Sequence, residues 1–140
     1  MAEGPKPNDL ARGVLETLKR LRPQGSFDLA VAEQGDVTAE LDPPPGSNAR
    51  VLVVLTNDGE DIWVGFGYPQ MFYTVADCDE LLSTVDGLLG DRILFVRISD
   101  SAGEWVETTM IRPNDRLALD PGQSAIVRSW SGALDQDLEG

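Results

Sequence analysis

The chain has 140 residues, 24 of them acidic and 11 basic, for a formal charge of −13; that length suits one domain, which buries roughly 68–70% of its unfolded surface and needs no disulfide or metal staple. Histidine is absent and Cys78 is the single cysteine, which excludes Ser-His-Asp and Cys-His catalysis, histidine-containing metal sites, a structural zinc set and an intramolecular disulfide. The acidic balance argues against direct binding to nucleic acid, whose phosphates call for a basic stripe.

Met1 to Gln24 has no apolar run of signal-peptide type, and no stretch approaches the ~18 apolar residues of a membrane span, so a cytoplasmic protein is expected. Leu10, Val14, Leu18 and Leu21 fall at helical spacing, with Asn8 or Asp9 as the cap and Pro23 with Gly25 as the stop. From Phe27 the apolar period changes to two. Phe27, Leu29 and Val31, then Val37, Ala39 and Leu41, flank Gln34-Gly35-Asp36 and predict a hairpin with one wet face. The run Asp42-Pro43-Pro44-Pro45-Gly46-Ser47-Asn48 cannot continue a ladder and reads as a loop.

Val51 to Leu55 is apolar on both faces and predicts a central strand. Asn57 to Asp61 supplies turn chemistry before a second strand, Ile62 to Tyr68. Thr74 with Asp77 has the spacing of a capping box, and Leu81, Leu82, Val85, Leu88 and Leu89 form a helical stripe that ends at Gly90. Ile93 to Ile98 and Trp105 to Ile111 predict another hairpin, Ser124 to Trp130 adds a strand, and 131–140 reads as a frayed acidic tail. The expected architecture is a single α+β domain over 1–130: an antiparallel sheet of about six or seven strands with two helices packed against it.

Charge is unevenly spread along this order. Thirteen acids and one base, Arg50, lie between Pro23 and Asp91. Acids on exposed strand faces keep a domain soluble, and they also speed association with a basic partner. Asp58, Glu60 and Asp61 crowd one turn, where glycine alone would suffice, and so read as a presented surface. Asp77, Asp79 and Glu80 crowd the start of the second helix, where the dipole already favours them. Neither cluster has the spacing of a calcium loop.

Between the clusters, Tyr68, Pro69, Met71, Phe72 and Tyr73 form an aromatic and Met-rich connection. Such residues are enriched at interface cores, and they equally seal a helix onto a sheet. Gly65 and Gly67 share a strand face with Trp63, leaving room for a flat aromatic ring or another backbone. A lone G-x-G inside a strand lacks the strand-to-helix setting of a dinucleotide site, and no cofactor is expected. Carboxylate chemistry of the glycosidase type is open to any chain with 24 acids and so points nowhere in particular.

The segment Gly59-Glu60-Asp61-Ile62-Trp63-Val64-Gly65-Phe66-Gly67-Tyr68, following an apolar strand in a short acidic chain, resembles the small immunity proteins that bacteria make against their own polymorphic toxins. That resemblance implies stoichiometric inhibition of a basic toxin without catalysis, through Asp58, Glu60, Asp61, Trp63, Tyr68 and Tyr73. With Phe72, Asp77 and Asp79 these form the expected partner-binding set. The rival reading is a small-ligand carrier or carboxylate enzyme with a pocket beside Gly65 and Gly67.

Overall fold

A computed structural model describes residues 4–21, 27–43, 49–67 and 70–140. The chain runs α1 (Asp9–Leu21), β1 (Phe27–Val31), β2 (Val37–Leu41), β3 (Leu52–Asn57), β4 (Asp61–Phe66), β5 (Met71–Val75), α2 (Cys78–Leu89), β6 (Leu94–Ser99), β7 (Trp105–Ile111), β8 (Ser124–Arg128) and β9 (Gln136–Glu139). The fold is α+β, with every strand pair antiparallel. Instead of one sheet there are two, a five-stranded meander β1-β2-β3-β4-β5 and a four-stranded sheet β7-β6-β8-β9.

The strand number exceeds the expectation at two places. Met71–Val75 is a strand and not a connection, because Val75 pairs with Ile62 and Met71 with Phe66. The tail is not frayed either: Gln136–Glu139 pairs with β8 and seats Leu138 against the second core cluster. Asp135 anchors that return. It accepts hydrogen bonds from Ser129 N and from the Arg50 guanidinium, which also reaches Ser129 O at 2.7 Å. A charged group anchored this way outweighs the fraying expected of a polar chain end.

Both helices start where a side chain serves their free N–H groups. Asn8 caps α1, its Oδ1 accepting from Ala11 N at 2.8 Å. At α2 the capping residue is Asp77, which accepts from Glu80 N, while the Glu80 carboxylate accepts from Ala76 N. The box is therefore Asp77 with Glu80, one helical turn later than Thr74 with Asp77, since Thr74 belongs to β5. Gly90 closes α2, and Arg92 folds back to donate to Asp86 O at 3.0 Å, placing a cation at the negative helix end. The segment holding Pro23 and Gly25, expected to stop α1, lies outside the described residues, as do Pro44 and Pro45.

Alternation decides which sheet face is buried. Val37, Ala39, Leu52, Val54, Ile62, Val64, Phe66, Met71 and Val75 turn to the core, where α1 adds Val14 and Leu18 and α2 adds Leu81, Val85 and Leu88. Apart from Ala39, each such side chain contributes about 1.5–3 kcal/mol through burial. Phe95 from the second sheet and Trp130, just after β8, enter the same core, and the Phe66 and Phe95 rings meet edge to face at 5.1 Å. The opposite face of β6 and β8 builds a smaller cluster around Leu94, Val96, Ile98, Ala125 and Val127.

Candidate functional site

One buried carboxylate organises the end of the five-stranded sheet where the acids gather. Asp36 is 7% exposed and accepts from Asp58 N (2.8 Å), Gly59 N (2.9 Å), Thr56 Oγ1 (3.0 Å) and Asn8 Nδ2 (3.1 Å). Burial by itself raises its pKa. The hydrogen bonds from Gly59, Asn8, Asp58 and Thr56 outweigh that and hold it below the ordinary carboxylate value. Asp58 and Gly59 both have positive φ, 54° and 67°, a turn conformation that two backbone N–H bonds to one carboxylate keep in place. Because Asn8 N also donates to Gly35 O, the same knot ties the β1–β2 turn, the β3–β4 turn and the start of α1 together.

The ladder brings further acids to this end. Asn57 pairs with Asp61 and Ile62 with Val75, so the β3–β4 turn lies beside the step from β5 into α2. Asp9, Glu33, Asp58, Glu60, Asp61, Asp77 and Asp79 are all exposed there. Arg12, the base on the first turns of α1, pairs with Asp9. Carboxylates separated by up to about seventy positions in the chain thus converge on one end of the fold. Asp77 has a structural duty as well, as the cap of α2.

The aromatic residues divide between two faces. Trp63 and Phe72 lie on the face of the five-stranded sheet away from the helices, half-buried, with their rings in a T-shaped contact at 6.5 Å. Leu55, opposite Trp63, extends this apolar strip, and Asp28, Glu40 and Asp61 share its face. Tyr73 is on the other face and packs against the main core. It therefore does not join Phe72 on one surface, because neighbouring residues of a strand point oppositely. Tyr68 lies outside the described residues.

The space beside Gly65 is filled. A Cβ there would collide with the Met71 carbonyl oxygen and lie 2.7 Å from Phe72 Cδ1, so Gly65 lets the β5 backbone and a ring approach and opens no pocket there. At Gly67 the nearest atom would be Val53 Cγ2 at 3.8 Å. Concavity lies elsewhere, in an open groove of about 710 Å³ lined by Ser83, Asp86, Asp91, Arg92, Arg112 and Asp115 among others. Its charges are largely committed within the fold: Arg92 pairs with Asp86 at 2.7 Å, and Asp91 accepts from Ser131 N. No group of three or more Cys, Asp or Glu side chains among the described residues could hold a metal ion, and among them no helix is long and apolar enough to cross a membrane. Cys78 is half-buried, its Sγ beside Gly13 of α1.

Asp36 is the residue of this candidate site that sequence reasoning missed. Its partners are 20 or more residues away apart from Gln34, and only the fold juxtaposes them. No protein-family model, curated protein or solved structure matches this chain.

Proposed function

We propose that this protein is a non-catalytic binding module that captures and masks a basic protein partner, as an immunity-type inhibitor of a cationic toxin would. The observation that carries the reading is the convergence of seven exposed carboxylates from α1, two turns and the start of α2 on one end of the sheet. Even with Arg12 offsetting Asp9 the end is net negative, and such a field raises association rates with an opposite charge by roughly 10- to 10³-fold. The half-buried strip of Leu55, Trp63 and Phe72 adjoins it through Asp61 and supplies the apolar contact that holds a docked partner. The Asp36 knot supports the same reading, since a turn held rigid loses little entropy on docking.

The test has two steps. Affinity capture from the native cell identifies the bound protein, and stopped-flow association is then followed from low to moderate salt. The captured protein is basic, its on-rate falls steeply with salt, and Asp58→Lys with Glu60→Lys and Asp61→Lys lowers the on-rate at least about tenfold while the off-rate changes less. A partner without basic character, or an on-rate indifferent to salt and to the reversal, overturns the proposal.

A further inference from the structure

β1 is the outer strand of the five-stranded sheet and pairs with β2 alone among the described residues. In the turn that follows it, Ala32 N donates to Asp36 O at 2.8 Å, so by alternation the N–H and C=O groups of Ala30 and Asp28 also point to β2. Those of Phe27, Leu29 and Val31 point outward, and no strand among the described residues takes them up. The other sheet edges are guarded. β5 lies beside β7, β7 carries a bulge at Val106 between Glu104 and Glu107, and β9 is four residues long with Asp137 and Glu139. β1 has neither proline nor bulge, and its Phe-Asp-Leu-Ala-Val run keeps an unbroken register with β2.

Both faces of this edge specify what fits beside it. On the core face Leu29 is 54% exposed, between Phe27 and Val31, which both pack against the main core. A lone exposed leucine is ordinary on a surface; at an open edge it is the position that a next strand would cover. On the other face Asp28 stands directly opposite Glu40, and both are exposed. Like charges paired in this way repel. None of β1 to β5 carries a lysine or arginine, and the bases of α1 belong to a helix packed on the core face.

We infer that β1 accepts an extended strand from a protein partner, one in which basic residues alternate with apolar ones. Main-chain bonds to Leu29, and to Phe27 and Val31 on either side of it, extend the sheet. On the core face an apolar side chain covers Leu29. On the other face a lysine or arginine opposite Asp28 comes beside two carboxylates that otherwise repel each other. A second copy of β1 fits less well, because it would add aspartates to that face and bring −13 against −13. This contact shares no residue with the acidic end and stands whether or not that end captures the same protein.

The experiment adds a blocked Lys-Val-Lys-Val-Lys peptide to the whole protein and follows the backbone amides by NMR. The β1 resonances shift saturably, and exchange of the Leu29 and Val31 amides slows at least about tenfold, while Ala30, already bonded to β2, changes little. A peptide with glutamate in place of lysine binds at least about tenfold more weakly. Asp28→Asn with Glu40→Gln removes that preference. Leu29→Thr, which keeps a strand-forming residue and loses apolar surface, weakens binding about two- to fivefold. N-methylation of the valines, whose N–H groups face β1, abolishes binding, whereas N-methylation of the central lysine, whose N–H faces away, leaves it. At saturating peptide the triple lysine reversal at Asp58, Glu60 and Asp61 leaves the protection of Leu29 intact, which separates this contact from the one above. Leu29 and Val31 amides that exchange no more slowly in the presence of peptide, or lysine and glutamate peptides that bind equally, overturn the inference. So does a dimer by sizing chromatography in which those amides are protected without peptide, because a second copy then fills the edge.

Discussion

Replacing Asp36 by asparagine tests the knot at the acidic end. Asparagine keeps one carbonyl oxygen. Placed at the Oδ1 position, that oxygen still serves Gly59 N, Thr56 Oγ1 and Asn8 Nδ2, but its NH₂ then faces Asp58 N, which sits 2.8 Å from Oδ2 in the native protein. One charge-assisted bond is lost, a donor faces a donor, and the remaining bonds lose their charge. With ~1.5–3 kcal/mol for a bond to a charged group and ~1–3 for a partly buried donor left unserved, the expected cost is about 3 kcal/mol. For a chain of 140 residues this lowers Tm by about 10 °C. Urea unfolding followed by circular dichroism measures it, with Asp58→Asn as the control. Asp58 is exposed and asparagine tolerates its φ of 54°, so that change stays within about 0.5 kcal/mol.

The same variant has a pH signature. The folded pKa of Asp36 lies below its unfolded value of about 3.9, so its contribution to stability is complete above that value and is lost as pH falls through the folded pKa. The gap in stability between the native protein and Asp36→Asn is therefore widest at neutral pH and narrows in acid. A cost below about 1 kcal/mol, or a gap independent of pH, refutes the reasoning.

Gly65→Ala drives a methyl into the Met71 carbonyl and costs about 3 kcal/mol or more by chemical denaturation, whereas Gly67→Ala, with 3.8 Å of clearance, stays within about 0.5 kcal/mol. Deleting 136–140 strips β9 from β8 and uncovers Ala125 and Val127. Thermal melting then shows a loss of about 2 kcal/mol or more, where a frayed tail would give none. Arg50→Ala removes the guanidinium bonds to Asp135 and Ser129 O, leaving the carboxylate with Ser129 N and with Arg128 at 4.0 Å and the carbonyl with Gly132 N, and costs about 2 kcal/mol. Its second readout is faster hydrogen exchange in β9.

The α+β class, both helices and the three hairpins were legible in the sequence because each rests on a local rule. Leu10 to Leu21 repeats at 3.6 residues, Phe27 to Leu41 repeats at two, and Val51 to Leu55 is apolar throughout and does run through the middle of its sheet. The second aromatic strand was harder to see. Met71 to Val75 alternates Met, Phe, Tyr, Thr, Val, which gives no polar face to mark a strand until its pairing with β4 is known. The capping box was displaced by one turn for a similar reason, since Thr74 and Asp77 have the right spacing and only the end of β5 at Val75 excludes that pair.

Composition by itself determined that the molecule is strongly acidic, that histidine chemistry is closed to it, and where along the chain its carboxylates lie. Tertiary structure decided the rest. Folding gathered acids from four segments onto one end, buried Asp36 among donors from distant positions, and sent Tyr73 inward while Phe72 stayed out. The physical reason is one of range. Periodicity and capping act within a few residues and can be read along the chain, whereas charge convergence and the satisfaction of a buried carboxylate depend on which distant strands pair and in what register.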